Sequence, residues 1–175
     1  LHRHPSEPDL AGPPMAAKSI SPYRIAEVAL DEATVARRSP EIEQDRNVAI
    51  YDLLERNHFQ PNGSPGGPYR LVLSIAENRL VFDVRLTDGT EHGRLALSLT
   101  PFRRVLKDYL EICASYYAAI RQAHPVHIEA IDMGRRGLHD EGSNLLMERL
   151  AGKIDIDFET ARRLFTLICA LAFRL

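Results

Sequence analysis

Residues 69–99 read YRLVLSIAENRLVFDVRLTDGTEHGRLALSL, and their alternation decides the fold class. Tyr69, Leu71, Leu73 and Ile75 alternate with Arg70, Val72 and Ser74. Leu80, Phe82, Val84 and Leu86 alternate with Arg79, Val81, Asp83 and Arg85, and Leu95, Leu97 and Leu99 with Arg94, Ala96 and Ser98. A period of two sends successive side chains to opposite faces, so three such runs predict three strands with one apolar face and one that shows arginines to water. The links Ala76-Glu77-Asn78 and residues 87–91 are short and carry turn residues, which predicts an antiparallel meander whose apolar face must be covered.

Helices flank this sheet in the chain. Thr100-Pro101 has the form of a cap followed by a first-turn proline, and Phe102, Val105, Leu106, Tyr109, Leu110, Cys113, Tyr116, Tyr117 and Ile120 continue as one stripe. That helix is expected to lie on the sheet. Asp157-Phe158-Glu159 starts a last helix, apolar almost throughout after Arg163, which suits either the centre of a core or half of an oligomer interface. Upstream, Ser39-Pro40-Glu41 opens a helix with Ile42, Arg46, Ala49, Ile50, Leu53 and Leu54 on one side, stopping near Phe59. Residues 23–30 suggest a strand, suited to an edge, whose alternation Glu27 interrupts, and residues 61–68 read as a mobile Pro/Gly loop. That loop lacks GxxxxGK[ST] and no helix start follows it, which argues against a phosphate cradle. The fold expected is α+β, an antiparallel meander of three to four strands packed against four to five helices.

The chain of 175 residues is 45% hydrophobic and 26% charged, enough for one well-buried core. Residues 1–14 are Pro-rich and aperiodic and read as a leader, with Met15 a native start and residues 15–175 a single globular domain. A formal charge of -2 provides no general attraction to nucleic acid, and no apolar run approaches the roughly 18 residues that span a bilayer. A cytoplasmic protein without membrane contact is expected. Cys113 and Cys169 sit in apolar stripes without CxxC spacing and read as buried small hydrophobes.

Chemistry gathers in residues 124–150, HPVHIEAIDMGRRGLHDEGSNLLMERL, where a charged cluster separates two segments of helical spacing. Asp132, Arg135, Arg136, His139, Asp140 and Glu141 fall within ten positions, among Gly134, Gly137 and Gly142. One reading is an ion-pair knot that fixes a helix junction. Another is an anion- or phosphate-binding patch, because adjacent guanidiniums can hold a phosphate or carboxylate through paired hydrogen bonds; Arg135 and Arg136 would bind, with Tyr116 and Tyr117 as further ligand-lining candidates. A third takes His139, Glu141 and Asp132 as catalytic candidates, a carboxylate orienting the imidazole of a hydrolase-like enzyme that acts on a phosphorylated or acidic small molecule. No nucleophile elbow accompanies them, and Ser143 reads as a helix-start residue. Residues 133–137 also look like the GxxG loop of KH domains, which keeps RNA binding as an alternative, although three strands before a run of helices fit neither KH arrangement. His124 and His127 with Glu129 lack the spacing of a zinc site, so no metal and no cofactor is expected.

The runs LSLTPFRRVLKDYLEICASYYAAI, IEAIDMGRRGLHDEGSNLLMERL, DFETARRLFTLICAL and GGPYRLVLSIAENRLVFDV resemble the uncharacterised bacterial protein family UPF0262 over nearly all of residues 23–173. The resemblance implies a small intracellular bacterial protein and carries over no catalytic residue, substrate or cofactor. The expectation is a binding or regulatory protein rather than an enzyme, one that forms homo-oligomers and takes an anionic small molecule. The enzyme is decided by whether His139, Glu141 and an arginine converge on one pocket, since the binding module needs only its arginines.

Overall fold

In a computed structural model that describes residues 20–32, 38–122 and 125–173, the chain runs β1 (Ile25–Leu30), α1 (Pro40–Glu55), β2 (Phe59–Pro61), β3 (Tyr69–Ala76), β4 (Arg79–Leu86), β5 (Glu91–Ser98), a 3-10 turn (Thr100–Phe102), α2 (Arg103–Gln122), α3 (Pro125–Leu150), β6 (Ile154–Ile156) and α4 (Phe158–Ala172). Residues 1–14, read from sequence as a leader, and His124 lie outside the described residues. The fold class is α+β, with, among the described residues, four helices, a four-stranded sheet in the order β1-β3-β4-β5 and a two-stranded sheet of β2 and β6.

The alternating stretch forms the expected meander. Leu73 lies opposite Phe82, and Leu80 opposite Leu97, so the in-facing sets of neighbouring strands coincide. Leu71, Leu73, Leu80, Phe82, Val84, Leu97 and Leu99 are buried, with Leu95 partly buried against them. Glu77 and Asn78 both take positive φ in the two-residue β3–β4 turn, the conformation whose twist matches that of paired strands. The expectation of a wholly antiparallel sheet needs a correction, because β1 pairs with β3 in parallel. Alternation along a strand says nothing of its neighbour's direction. The physical reason is the intervening α1, which gives the chain length to cross over and re-enter beside β1. Glu27, which breaks the alternation, marks a register shift between Ile25 and Glu27, and β1 is an edge strand.

Two further expectations change. The loop at residues 61–68 is held at its base: Gly67 N–H donates to Pro22 O at 2.9 Å, Ser64 Oγ and the Tyr69 hydroxyl lie 2.5 Å apart, and Phe59 to Pro61 pair with β6. The sheet is approached by α1, at β1, and by α4, at β3, and the helix after Pro101 shares its core through Phe102, Val105 and Leu106 rather than covering it alone. Every residue of α4 from Leu167 to Ala172 is buried, as are Ala161, Leu164 and Phe165, so its all-round apolarity is that of a central core helix and is not available to an oligomer interface.

The helix starts follow local chemistry where a side chain reaches back. Ser39 accepts from Ile42 N–H at 3.2 Å and Asp157 from Thr160 N–H at 2.9 Å, satisfying first-turn donors. Thr100 does not cap α2; its hydroxyl accepts from Asn78 Nδ2, and a 3-10 turn precedes the helix. The largest correction concerns residues 124–150, which contain no junction: α3 is one helix of 26 residues through all three glycines. Ser143 is therefore a mid-helix residue, buried, its hydroxyl donating to His139 O at 2.7 Å.

Candidate functional site

All four helices meet at one cleft of about 350 Å³. Arg135, Arg136 and His139 come from α3 at spacings of one and three, which keeps them on one side of the helix. Arg162, Arg163 and Thr166 repeat the same spacing on α4, while α1 contributes Asp45, Val48 and Ala49, and α2 contributes Tyr109. The lining thus sets four guanidiniums against one carboxylate.

The neutralising acids stand behind the arginines. Asp132 meets Arg135 at 2.6 Å and Arg136 at 3.1 Å; Glu159 meets Arg162 at 3.4 Å and Arg163 at 3.8 Å, with Asp52 3.7 Å from Arg163. None of these acids lines the cleft. Arg162 Nε is buried, 4.0 Å from Asp140 Oδ1, and without a hydrogen-bond partner among the described residues. The Arg135 guanidinium also lies over the Tyr116 ring, 4.5 Å from its centroid, where the ring's negative face favours a cation. Burial alone would lower the Arg135 pKa, but the hydrogen-bonded Asp132 outweighs it and the pKa is raised; the same hydrogen bond holds the Asp132 carboxyl below its usual range. Across the cleft, burial raises the Asp45 pKa against the opposing effect of the Tyr117 hydroxyl, which donates to it at 2.5 Å.

His139 forms part of the floor. Its ring stands 5.3 Å from both Tyr109 and Phe165, centroid to centroid. Thr166 Oγ1 lies 2.8 Å from His139 Nε2 and donates its own proton to Arg162 O at 3.3 Å. A hydroxyl has one proton to give, so it accepts from His139, which places the imidazole proton on Nε2 and leaves Nδ1 a lone pair. That Nδ1 is buried and has no partner among the described residues. Burial, aided by Arg162, pushes the His139 pKa down to about 4, and the ring is neutral at physiological pH.

Of the residues singled out from sequence, the cleft brings together Arg135, Arg136 and His139. Asp132 is the shared counter-ion behind the two arginines. Tyr116 and Tyr117 do not line the cleft; they support Arg135 and Asp45, which do. Glu141 is turned away, paired with Arg104, so it does not line this pocket beside His139. Residues 133–137 are helical, so no KH-type loop exists there. No group of three metal-ligating side chains occurs among the described residues. Neither cysteine lines the cleft, and burial pushes the Cys113 thiol up to about 11, far from a reactive thiolate. Sequence reasoning missed Arg162, Arg163 and Thr166. The available signal was a second Arg-Arg pair, in DFETARRLF, but only the packing of α3 on α4 brings the two pairs to one place.

No helix of the described residues is long and apolar enough to cross a membrane. Residues 22–174 match the uncharacterised protein family UPF0262. A UPF0262 protein of Rhizobium meliloti is 60% identical over 151 residues, covering 86% of this chain and 95% of the relative. Another from Mesorhizobium japonicum is 61% identical over 152 residues, covering 86% and 94%. A third, from Nitrobacter winogradskyi, is 58% identical over 154 residues, covering 88% and 92%. No solved structure matches the chain at a significant level.

Proposed function

The chain belongs to the uncharacterised protein family UPF0262, and from its cleft we propose that it is a binding protein for a phosphorylated or otherwise multiply charged anionic small molecule. The observation that carries this reading is the convergence of two Arg-Arg pairs from α3 and α4 on one concavity whose lining holds a single carboxylate, Asp45, while the acids ion-paired to the arginines lie outside it. Guanidinium forks match the geometry of phosphate and carboxylate oxygens, and the cleft volume sits at the small end of the range of about 300–1,000 Å³ typical of ligand sites. Arg162 Nε and His139 Nδ1 are the buried polar atoms that a ligand or its water would satisfy. With Glu141 held by Arg104, binding is better supported than hydrolysis.

The test is thermal unfolding of the full chain with inorganic phosphate or pyrophosphate, set against chloride at matched ionic strength, since a ligand of the folded state raises Tm. The parent is expected to gain stability from pyrophosphate. Arg162→Ala with Arg163→Ala is expected to lose that gain while staying folded. Equal responses of parent and variant would rule the cleft out.

A further inference from the structure

The outward face of α3 carries a pattern that no packing among the described residues explains. Val126, Ala130, Met133 and Gly137 recur at intervals of four, three and four, the spacing of a heptad seam, on the side away from Gly142 and Leu146. Val126 is 81% and Met133 71% exposed, more than any other large apolar side chain in a described helix. Glycine is a poor helix former, yet Gly137 sits mid-helix where a Cβ would meet nothing within 4 Å.

Large and small residues alternate along this seam. Laid antiparallel on a copy of itself, the helix sets Val126 against the partner's Gly137 and Met133 against the partner's Ala130, so each large side chain meets a small one. The flank is self-complementary in charge as well. Glu129 and Arg136 lie seven residues apart on the same side of the seam, both at the position called g when Ala130 and Gly137 are a. Antiparallel helices bring like flanks together, so Glu129 faces the partner's Arg136, and two-fold symmetry repeats the pair. Glu129 has no ion pair among the described residues, and the Arg136 side chain is 73% exposed.

We infer that the chain forms a two-fold dimer through antiparallel pairing of the α3 faces at residues 126–137. A second copy is the occupant that fits, because both the large-to-small match and the charge match are properties of this segment with itself. The seam is short, about 18 Å of helix, well below a standard interface, so the dimer dissociates on dilution. It stands apart from the anion site except at Arg136, which borders both; the partner's Glu129 takes Arg136 at the cleft mouth and leaves Arg135, Arg162 and Arg163 within.

Sedimentation velocity of the full chain, from low-micromolar to near-millimolar concentration, is expected to show a monomer–dimer equilibrium. Met133→Glu abolishes the dimer and leaves the circular dichroism spectrum unchanged, as does Val126→Glu on the first turn. Glu129→Arg and Arg136→Glu each weaken association several-fold, and the double variant recovers the parent's dissociation constant. A parent that stays monomeric throughout, a dimer indifferent to both glutamates, or a double variant no better than the singles would overturn the inference. Loss of pyrophosphate stabilisation with the dimer intact would count against the anion site alone.

Discussion

Gly142 and Gly137 stand five residues apart on the same helix, and their surroundings are opposite. A Cβ on Gly142 would drive into the Phe165 ring, whose third-nearest atom is only 2.6 Å away, whereas one on Gly137 would meet nothing. The inner face of α3 is therefore set by how closely α4 can approach, and Phe165, fully buried, fills the space that a side chain at 142 would take. The outer face at Gly137 has no such neighbour among the described residues. The same residue type thus serves core packing at one site and an exposed seam at the other.

The largest expected effect lies on the inner face and depends on pH. The folded pKa of His139, about 4, lies below the value of 6.5 for an unperturbed histidine, so the unfolded chain binds the proton more readily between these values. The contribution is fully present above about pH 6.5 and is lost as pH falls toward 4. It amounts to about 3 kcal/mol. Urea denaturation across that window is expected to show the parent losing this much more stability than His139→Gln, and parallel curves would place the imidazole in solvent.

Gly142→Ala is the next effect in size. Overpacking against Phe165 is expected to destabilise by about 1–3 kcal/mol, and Phe165→Leu in the same chain to recover part of the loss, read as a double-mutant cycle. Additive losses would mean that the two residues do not touch. The smallest effect has the opposite sign. Gly137→Ala is expected to stabilise dilute, monomeric protein by up to about 1 kcal/mol, the helix-propensity difference, measured by thermal unfolding. Destabilisation there would mean that Gly137 is already packed in the monomer.

The meander was legible from residues 69–99 because a period of two has one structural meaning when three runs share it. The direction of β1 was not, since a strand's side chains alternate alike in parallel and antiparallel neighbours. Residues 124–150 misled for a related reason. Glycines amid charges resemble a turn on propensity alone, and propensity yields where a tight helix contact needs the glycine, as at Gly142. Arg135 and Arg136 could be found by their density of charge, but Glu141 could not be removed from the site, nor Arg162 and Arg163 added to it, without the packing partners.

By itself, then, the sequence determined the three strands of the meander, the Ser39 and Asp157 helix starts, the kinship, and the charged segment in which to look, because each rests on residues near one another in the chain. Tertiary structure alone decided that α4 is the core helix, that α3 runs unbroken, and that two distant Arg-Arg pairs share a cleft with a neutral, buried His139. Those outcomes depend on which surfaces exclude water together, and burial is a property of the assembled helices rather than of any segment read alone.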